Sequence, residues 1–357
     1  MTVTGHGFVT TCHGMVTAFE TGERPRLEPL RWPAMTPRTR VVAIVAAAAV
    51  LAVTGTVTIT WLQTRGETTT APGSVAKPRA GRPPLVFDFG VRDNAESRAL
   101  ARAAGLLNGG HTKAAASIFS RYHSVDAQIG TAIANWPDGS LDSLKRLVAA
   151  HPRSAAAQLH LGLALFWSGR TADSARRLRV VDTSFPDSPE AVTAENVLYG
   201  QMAPNLPLLV TGLTLPGAPT AAAQLRILER AAASRNVDAK LRYGSALWFL
   251  KRRVSAERQF EAAARLAPND PRAQTLAAVA RFTKRKPVAA FSRLGPLTGR
   301  FPRAAVVRFH LGVLLIWTRE VAKGKRQLAD AVMYEPHSPW AKAARELLSA
   351  LPKDGTK

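Results

Sequence analysis

One short string of residues occurs twice in this chain. QLHLGLALFWSGR spans residues 158–170 and FHLGVLLIWTR spans residues 309–319, so His-Leu-Gly, a run of apolar residues and a Trp return after 150 positions. A string that is repeated within one chain indicates a repeated structural unit, and such a unit constrains the fold more tightly than composition does.

Prolines give the length of the unit. Intervals of 34, 82, 34 and 34 residues separate Pro152, Pro186, Pro268, Pro302 and Pro336. The interval of 82 equals two periods of 34 plus 14 residues, and the stretch 201–219 has the composition of a loop insertion of about that size. The spacing therefore predicts helical units of 34 residues, interrupted once.

Small and large apolar residues recur at fixed places within the unit. The best copy, residues 237–270, contains Gly244, Leu247, Ala256, Phe260, Ala263 and Pro268. The copy from residue 305 contains Gly312, Leu315, Gly324, Leu328, Ala331 and Pro336, and the copy with the first string contains Gly162, Leu165, Ser174, Leu178, Val181 and Pro186. Small residues allow two antiparallel helices to approach, large ones fill the space between units, and Pro ends the second helix.

This pattern resembles the tetratricopeptide repeat (TPR) family. The resemblance covers about residues 95–351; it is strong in three or four units and loose upstream. It implies an all-α fold, a TPR-like α-solenoid of helix-turn-helix pairs whose concave face is lined by the first helix of each pair. An ordinary helical bundle is the alternative.

Near the N-terminus lies an uncharged apolar run, residues 41–62, which is 22 residues long. At about 1.5 Å per residue this length spans a bilayer core of roughly 30 Å. A buried soluble helix and a cleaved signal peptide are the alternatives to a transmembrane signal anchor. Five arginines precede the run, at positions 24, 26, 31, 38 and 40, and favour a cytoplasmic N-terminus. Met35 opens a basic segment directly before the run and is an alternative translation start.

Together these patterns predict six regions. They are a cytoplasmic tail (1–40), the transmembrane anchor (41–62), a flexible Gly/Pro/Thr-rich linker (63–86), degenerate TPR-like repeats (87–236) with a loop insertion near 201–219, three in-phase repeats (237–338) and a capping helix (339–351). We expect a single-pass protein of the cell membrane, with its C-terminal domain outside the cytoplasm.

The resemblance implies that a protein segment binds in the concave groove. Aromatic and large apolar side chains on the first helices are expected to line this groove, because such residues are enriched where partners bind. They are Phe166, Trp167, Trp248, Phe249, Phe282, Ile316 and Trp317. The alternative is that they pack against neighbouring repeats or against the insertion.

Positive charge is also arranged in a pattern. Lys and Arg outnumber Asp and Glu by 48 to 25, and many of them fall at equivalent turns of consecutive units. We call this set the basic edge: Lys251, Arg252, Arg253, Lys284, Arg285, Lys286, Arg319, Lys323, Lys325 and Arg326. It indicates either a solvated surface or a binding site for anionic lipid headgroups, an acidic envelope polymer or an acidic protein. No nucleic acid is expected as a partner.

No enzymatic motif is found. The eight histidines are scattered, and His160 and His310 are interpreted as helix-face residues of equivalent units. Cys12 is the only cysteine, which excludes an intramolecular disulfide and a four-cysteine zinc site. The sequence therefore predicts a membrane-anchored interaction scaffold without catalytic activity, cofactor or metal.

Overall fold

The structure, a computed structural model, describes residues 81–351. This part of the chain contains fifteen α-helices and no β-strand. The helices are α1 (Ala95–Asn108), α2 (Thr112–Phe119), α3 (Val125–Ala134), α4 (Ser140–Ala150), α5 (Ala155–Trp167), α6 (Thr171–Ser184), α7 (Pro189–Leu198), α8 (Ala221–Ala232), α9 (Val237–Phe249), α10 (Arg253–Leu266), α11 (Pro271–Val279), α12 (Val288–Arg300), α13 (Ala305–Trp317), α14 (Val321–Tyr334) and α15 (Pro339–Ala350). The predicted tail and membrane anchor lie outside the described residues.

Neighbouring helices form stacked pairs. The pairs are α1/α2, α3/α4, α5/α6, α9/α10, α11/α12 and α13/α14, and the first helix of each pair also contacts the first helix of the next. The pairs form two stacks. Helix α7 ends the first stack and α15 ends the second, and within residues 81–351 neither of them has a second helix to pair with. The prediction of an all-helical, TPR-like solenoid is confirmed by this arrangement.

Proline and polar side chains set the helix ends. Five second helices, α4, α6, α10, α12 and α14, end two residues before Pro152, Pro186, Pro268, Pro302 and Pro336, respectively. Most first helices begin at a side-chain cap; the Ser154 hydroxyl, for example, accepts a hydrogen bond from the Ala157 N–H at the start of α5. Because Pro disfavours helical backbone in the residue before it, the 34-residue interval appears in the structure as a helix boundary.

Glycine lets the two helices of a pair approach closely. A Cβ atom added to Gly162 would lie 2.6 Å from the Leu178 side chain, and one added to Gly244 would lie 2.7 Å from the Phe260 ring. At Gly312 the nearest atom, in Leu328, would be 2.9 Å away. These distances are below ordinary van der Waals contact, so the small residue of the repeat pattern is required by packing.

The solenoid consists of two halves, joined by residues 199–202. The N-terminal half (residues 82–198) includes α1–α7, and the C-terminal half (residues 203–351) includes α8–α15. In the described part of the chain, each cluster of buried apolar side chains belongs to one half, and none spans both. The contact between the halves is therefore formed mainly by polar and charged groups.

Candidate functional site

In the N-terminal half, an extended segment lies on the face formed by the first helices. We call this face the groove, and residues 82–90 the N-segment. The Leu85 N–H donates to Asn108 Oδ1 at 3.0 Å, and Asn108 Nδ2 donates back to the Leu85 carbonyl at 2.9 Å. The Val86 N–H donates to His160 Nε2 at 3.2 Å. Side chains of α1 and α5 thus bind the backbone of the segment.

A second segment without helix or strand lies on the first helices of the C-terminal half. Residues 203–214, the C-segment, lie in the predicted insertion. The Trp248 indole donates to the Pro207 carbonyl at 3.0 Å, and the Trp340 indole donates to the Val210 carbonyl at 2.8 Å. The Val210 N–H donates to His310 Nε2 at 3.2 Å. Helices α9, α13 and α15 therefore bind this segment as α1 and α5 bind the first.

The two segments carry the same short motif in the same register. Pro83-Pro84-Leu85-Val86 corresponds to Pro207-Leu208-Leu209-Val210, so both read Pro-x-Leu-Val. In each copy the Pro and the Leu are buried, while the second and fourth residues are half-buried. Alternating burial is the pattern of an extended chain with one face on a surface. In each copy the Val N–H donates to a histidine, and the two histidines are the residues shared by the repeated string.

Both histidines are fixed in one tautomer. Nδ1 of His160 lies 2.8 Å from the Ala156 carbonyl oxygen, and Nδ1 of His310 lies 2.7 Å from the Val306 carbonyl oxygen. Nδ1 must therefore carry the proton, which leaves the Nε2 lone pair to accept the Val N–H. Burial lowers the pKa of each imidazole to about 4, despite the opposing effect of the carbonyl hydrogen bond. A second proton would place two N–H donors against each other.

The repeat pattern predicted these histidines only as helix-face residues, and it did not predict the two segments. The 34-residue period carries no information about them, because both lie outside the repeated units. A signal was nevertheless available, since Pro-x-Leu-Val occurs upstream of each His-Leu-Gly string.

The predicted groove residues are mostly not open to solvent. Phe166, Trp248, Phe282 and Trp317 are buried, Trp167 and Ile316 are half-buried, and Phe249 is 41% exposed. The expectation of an exposed aromatic surface is therefore wrong for the four buried residues. Trp248 shows the physical reason, because its indole contacts the C-segment that already covers it.

The predicted basic edge is not uniformly open to solvent, since several of its residues pair with acids of the N-terminal half. Arg253 Nη1 lies 2.8 Å from Glu195 Oε1, and its Nη2 lies 3.6 Å from Asp182 Oδ1. All three side chains are at most 5% exposed. Lys284 is buried as well and donates to Asn196 Oδ1 at 2.6 Å.

Other members of the predicted edge pair at the margin of this contact. Lys251 Nζ lies 3.0 Å from Asp88 in the N-segment, and Arg252 lies 3.4 Å from Asp187. Arg285 lies 3.5 Å from the buried Asp182. Of the remaining members, Lys325 is half-buried. The others are exposed: Lys286, Arg319, Lys323 and Arg326. Lys323 pairs with Glu320 at 3.0 Å. We call the set of contacts between the halves the seam.

Burial dominates the ionisation of the seam. Desolvation raises the pKa of the Glu195 carboxyl, although Arg253 opposes this shift. Desolvation also lowers the pKa of Lys284 to about 7, with Glu195 opposing it. Such shifts arise when charged groups leave water for a packed interior. The seam therefore depends on partners from both halves for its charge balance.

Two residues of the predicted edge also shape turns. Lys251 and Arg319 have φ values of 57° and 69°, in the left-handed region, two residues after the ends of the first helices α9 and α13. Gly110 and Gly169, with φ values of 93° and 76°, occupy this turn in the N-terminal half. Their position in sequence thus reflects the helix-turn-helix geometry, whatever their charge contributes.

Neither a membrane-spanning helix nor a cluster of metal ligands is found among residues 81–351. Across this range, no helix is both long and apolar enough to cross a bilayer. The same residues contain no group of three or more His, Cys, Asp or Glu side chains placed to hold a metal ion. The apolar run at 41–62 lies outside this range.

Comparison with known proteins gives only distant structural likenesses. No family model and no curated protein matches the sequence. A tetratricopeptide repeat protein from Parabacteroides merdae shares 12% identity over 71% of this chain and 98% of its own, with a TM-score of 0.31. The TPR2AB domain of yeast Sti1, in a complex with pHSP90, shares 12% identity over 71% of this chain and 97% of its own, with a TM-score of 0.27. Yeast Tom70 shares 10% identity over 76% of this chain and 66% of its own, with a TM-score of 0.28.

Proposed function

We propose that this chain is a membrane-anchored scaffold that presents a TPR-like solenoid outside the cytoplasm to a protein partner. Residues 41–62 supply the anchor in this proposal, because they are uncharged over a length that suits a bilayer. The arginines before them favour a cytoplasmic N-terminus. Residues 81–351 then lie on the opposite side of the membrane.

The observation that supports a protein partner is the way the grooves hold extended chain. In each half, a histidine accepts a backbone N–H, and a side-chain amide or indole binds a backbone carbonyl. Buried sites for Pro and Leu side chains accompany these contacts. Backbone hydrogen bonds combined with side-chain pockets are a general means of binding extended peptides.

Membrane fractionation tests the anchor and its orientation. We expect the full-length protein to sediment with membranes and to resist carbonate extraction, whereas a variant that lacks residues 41–62 should be released. Protease added to spheroplasts should digest residues beyond the anchor. Protection of this domain until lysis would show the opposite orientation. Release of the full-length protein by carbonate would show that residues 41–62 do not anchor it.

Salt dependence separates a protein partner from the alternative, an anionic lipid or acidic polymer bound through the basic edge. Affinity capture with the full-length protein should retain its protein partner between about 0.1 M and about 1 M salt, because contacts in an apolar groove are weakly screened. Binding to vesicles with anionic headgroups, driven by Lys286, Arg319 and Arg326, should instead be lost over this range. Vesicle binding without any salt-resistant protein partner would favour the alternative.

A further inference from the structure

The N-segment and the C-segment are attached to the helices in different ways. The N-segment leads into α1, and its backbone is held at Leu85 and Val86. Its side chains add contacts from Arg82 to Thr112, from Phe87 to the His160 ring and from Asp88 to Lys251. The C-segment runs between α7 and α8 and is joined to helices at both ends. Its backbone is held along its length, at Ala203, Pro207, Val210 and Thr214.

Each groove therefore binds a segment of the chain that carries the same short motif. The two segments differ in attachment and in most flanking residues, yet both place Pro and Leu in buried sites and a Val N–H on histidine. A shared requirement of the groove accounts for this agreement better than the local chain connections, which differ. The common ligand is an extended segment that carries Pro-x-Leu-Val.

We propose that the N-terminal groove is a receptor site for a partner segment with the sequence pattern Pro-x-Leu-Val, and that the N-segment is its resident competitor. This inference rests on the proposed function and names the chemistry of the partner. The partner's Leu takes the buried position of Leu85, and its backbone N–H at the Val position donates to His160 Nε2. Replacement of the N-segment by the partner segment also separates Asp88 from Lys251, so occupancy of the groove is coupled to the seam.

A peptide of the N-segment, RPPLVFDFG, tests this proposal as a fluorescent probe on the full-length protein in mild detergent. The tethered N-segment competes at an effective concentration on the order of millimolar, so wild-type protein should bind the probe weakly. Leu85→Asp places a carboxylate in a buried apolar site and should expel the N-segment. We expect this variant to bind the probe at least about tenfold more tightly than wild type, a gain of about 1.4 kcal/mol.

Controls make the result specific. Val180→Asp, at a position that is 41% exposed on α6, should bind the probe like wild type. A probe with Asp in place of its Leu should not bind, and the double variant Leu85→Asp/His160→Leu should lose the gain. Far-UV circular dichroism checks the fold; if Leu85→Asp loses helicity, Leu85→Ala replaces it, with a smaller gain expected from a folded protein.

Three outcomes would overturn the proposal. The first is equal binding of the probe by wild type and by a folded Leu85 variant. The second is a wild-type dimer that Leu85→Asp dissociates, which would make a second copy of this chain the occupant. In the third, a captured protein partner is insensitive both to excess probe and to Leu85→Asp; the scaffold function would then stand and the groove assignment would fail.

Discussion

In the N-terminal half the extended segment precedes the helices, whereas in the C-terminal half it is a loop between two of them. The partners that bind the backbone differ as well, since an asparagine amide serves the first groove and two indoles serve the second. The histidine and the Pro-x-Leu-Val motif are common to both. The comparison indicates that these common elements define the groove, while the other contacts depend on how each segment enters it.

The halves differ also in how they make the same turn. The N-terminal half uses Gly110 and Gly169 for left-handed backbone, and the C-terminal half uses Lys251 and Arg319. At equivalent positions in their helix pairs, Ser174 donates its hydroxyl to the Gly162 carbonyl at 2.8 Å, whereas Gly324 has no side chain to donate. Equivalent positions of the two halves therefore contribute differently to the free energy of unfolding.

The largest effect is expected where the two halves meet. Arg253→Met leaves the buried carboxylates of Asp182 and Glu195 without their shared guanidinium, and removal of one partner from a buried ion pair costs about 3–5 kcal/mol. Urea unfolding followed by circular dichroism measures this loss. Arg252→Met, at an exposed pair with Asp187, should cost less than about 1 kcal/mol. Equal effects of the two substitutions would contradict the buried seam.

Acid should weaken both halves through their histidines. The pKa of His160 and His310 falls from 6.5 to about 4 on folding, so the unfolded state takes up protons first as pH decreases. The contribution of each histidine is therefore complete above about pH 6.5 and decreases towards pH 4, by roughly 3 kcal/mol.

The two histidines can be tested separately. His160→Gln and His310→Gln each keep an acceptor that does not titrate, and each should remove a similar part of the acid dependence. The measurement is the free energy of unfolding against pH, with wild type as the reference because carboxylates titrate in the same window. If only one substitution changed the slope, the two clamps would not be equivalent.

A smaller difference is expected at the paired positions Ser174 and Gly324. A Cβ atom on Gly324 would lie 2.8 Å from the Gly312 carbonyl oxygen, so Gly324→Ala should cost about 1–3 kcal/mol. Ser174→Ala loses one hydrogen bond and should cost about 1 kcal/mol. Thermal melting ranks the two variants. Gly105→Ala is the control, because a Cβ atom there meets no atom within 4 Å and helix propensity favours Ala.

The smallest effect concerns the turns. Arg319→Gly should stabilise the protein by up to about 1 kcal/mol, since glycine adopts left-handed backbone without the penalty of a side chain. Gly169→Arg, the reverse exchange in the N-terminal half, should destabilise it by a similar amount. The midpoint of urea unfolding reports both changes. A loss of stability in Arg319→Gly would show that the arginine side chain contributes more than its backbone costs.

Periodicity predicted what repeats. The prolines at 34-residue intervals lie two residues beyond second helices, and Gly162, Gly244 and Gly312 lie where paired helices approach. Both features follow from local backbone and packing rules, which a single unit already contains. The helical solenoid was therefore accessible from sequence.

Contacts between distant segments were not accessible in this way. The pattern places Trp248 on a helix face but does not show that residues 203–214 cover that face. It also places Arg253 at a turn, while the acids that bury it, Asp182 and Glu195, come from another half of the chain. The exposed surface of a repeat depends on what packs on it, and that information lies outside the period.

Each segment precedes in sequence the groove that binds it. Val86 is 74 residues ahead of His160, and Val210 is 100 residues ahead of His310. A ribosome synthesises the N-terminal residues first, so both segments exist before the last helix of their groove has emerged. Each newly completed groove thus meets its own segment before any other ligand, and an external partner encounters grooves that are already filled.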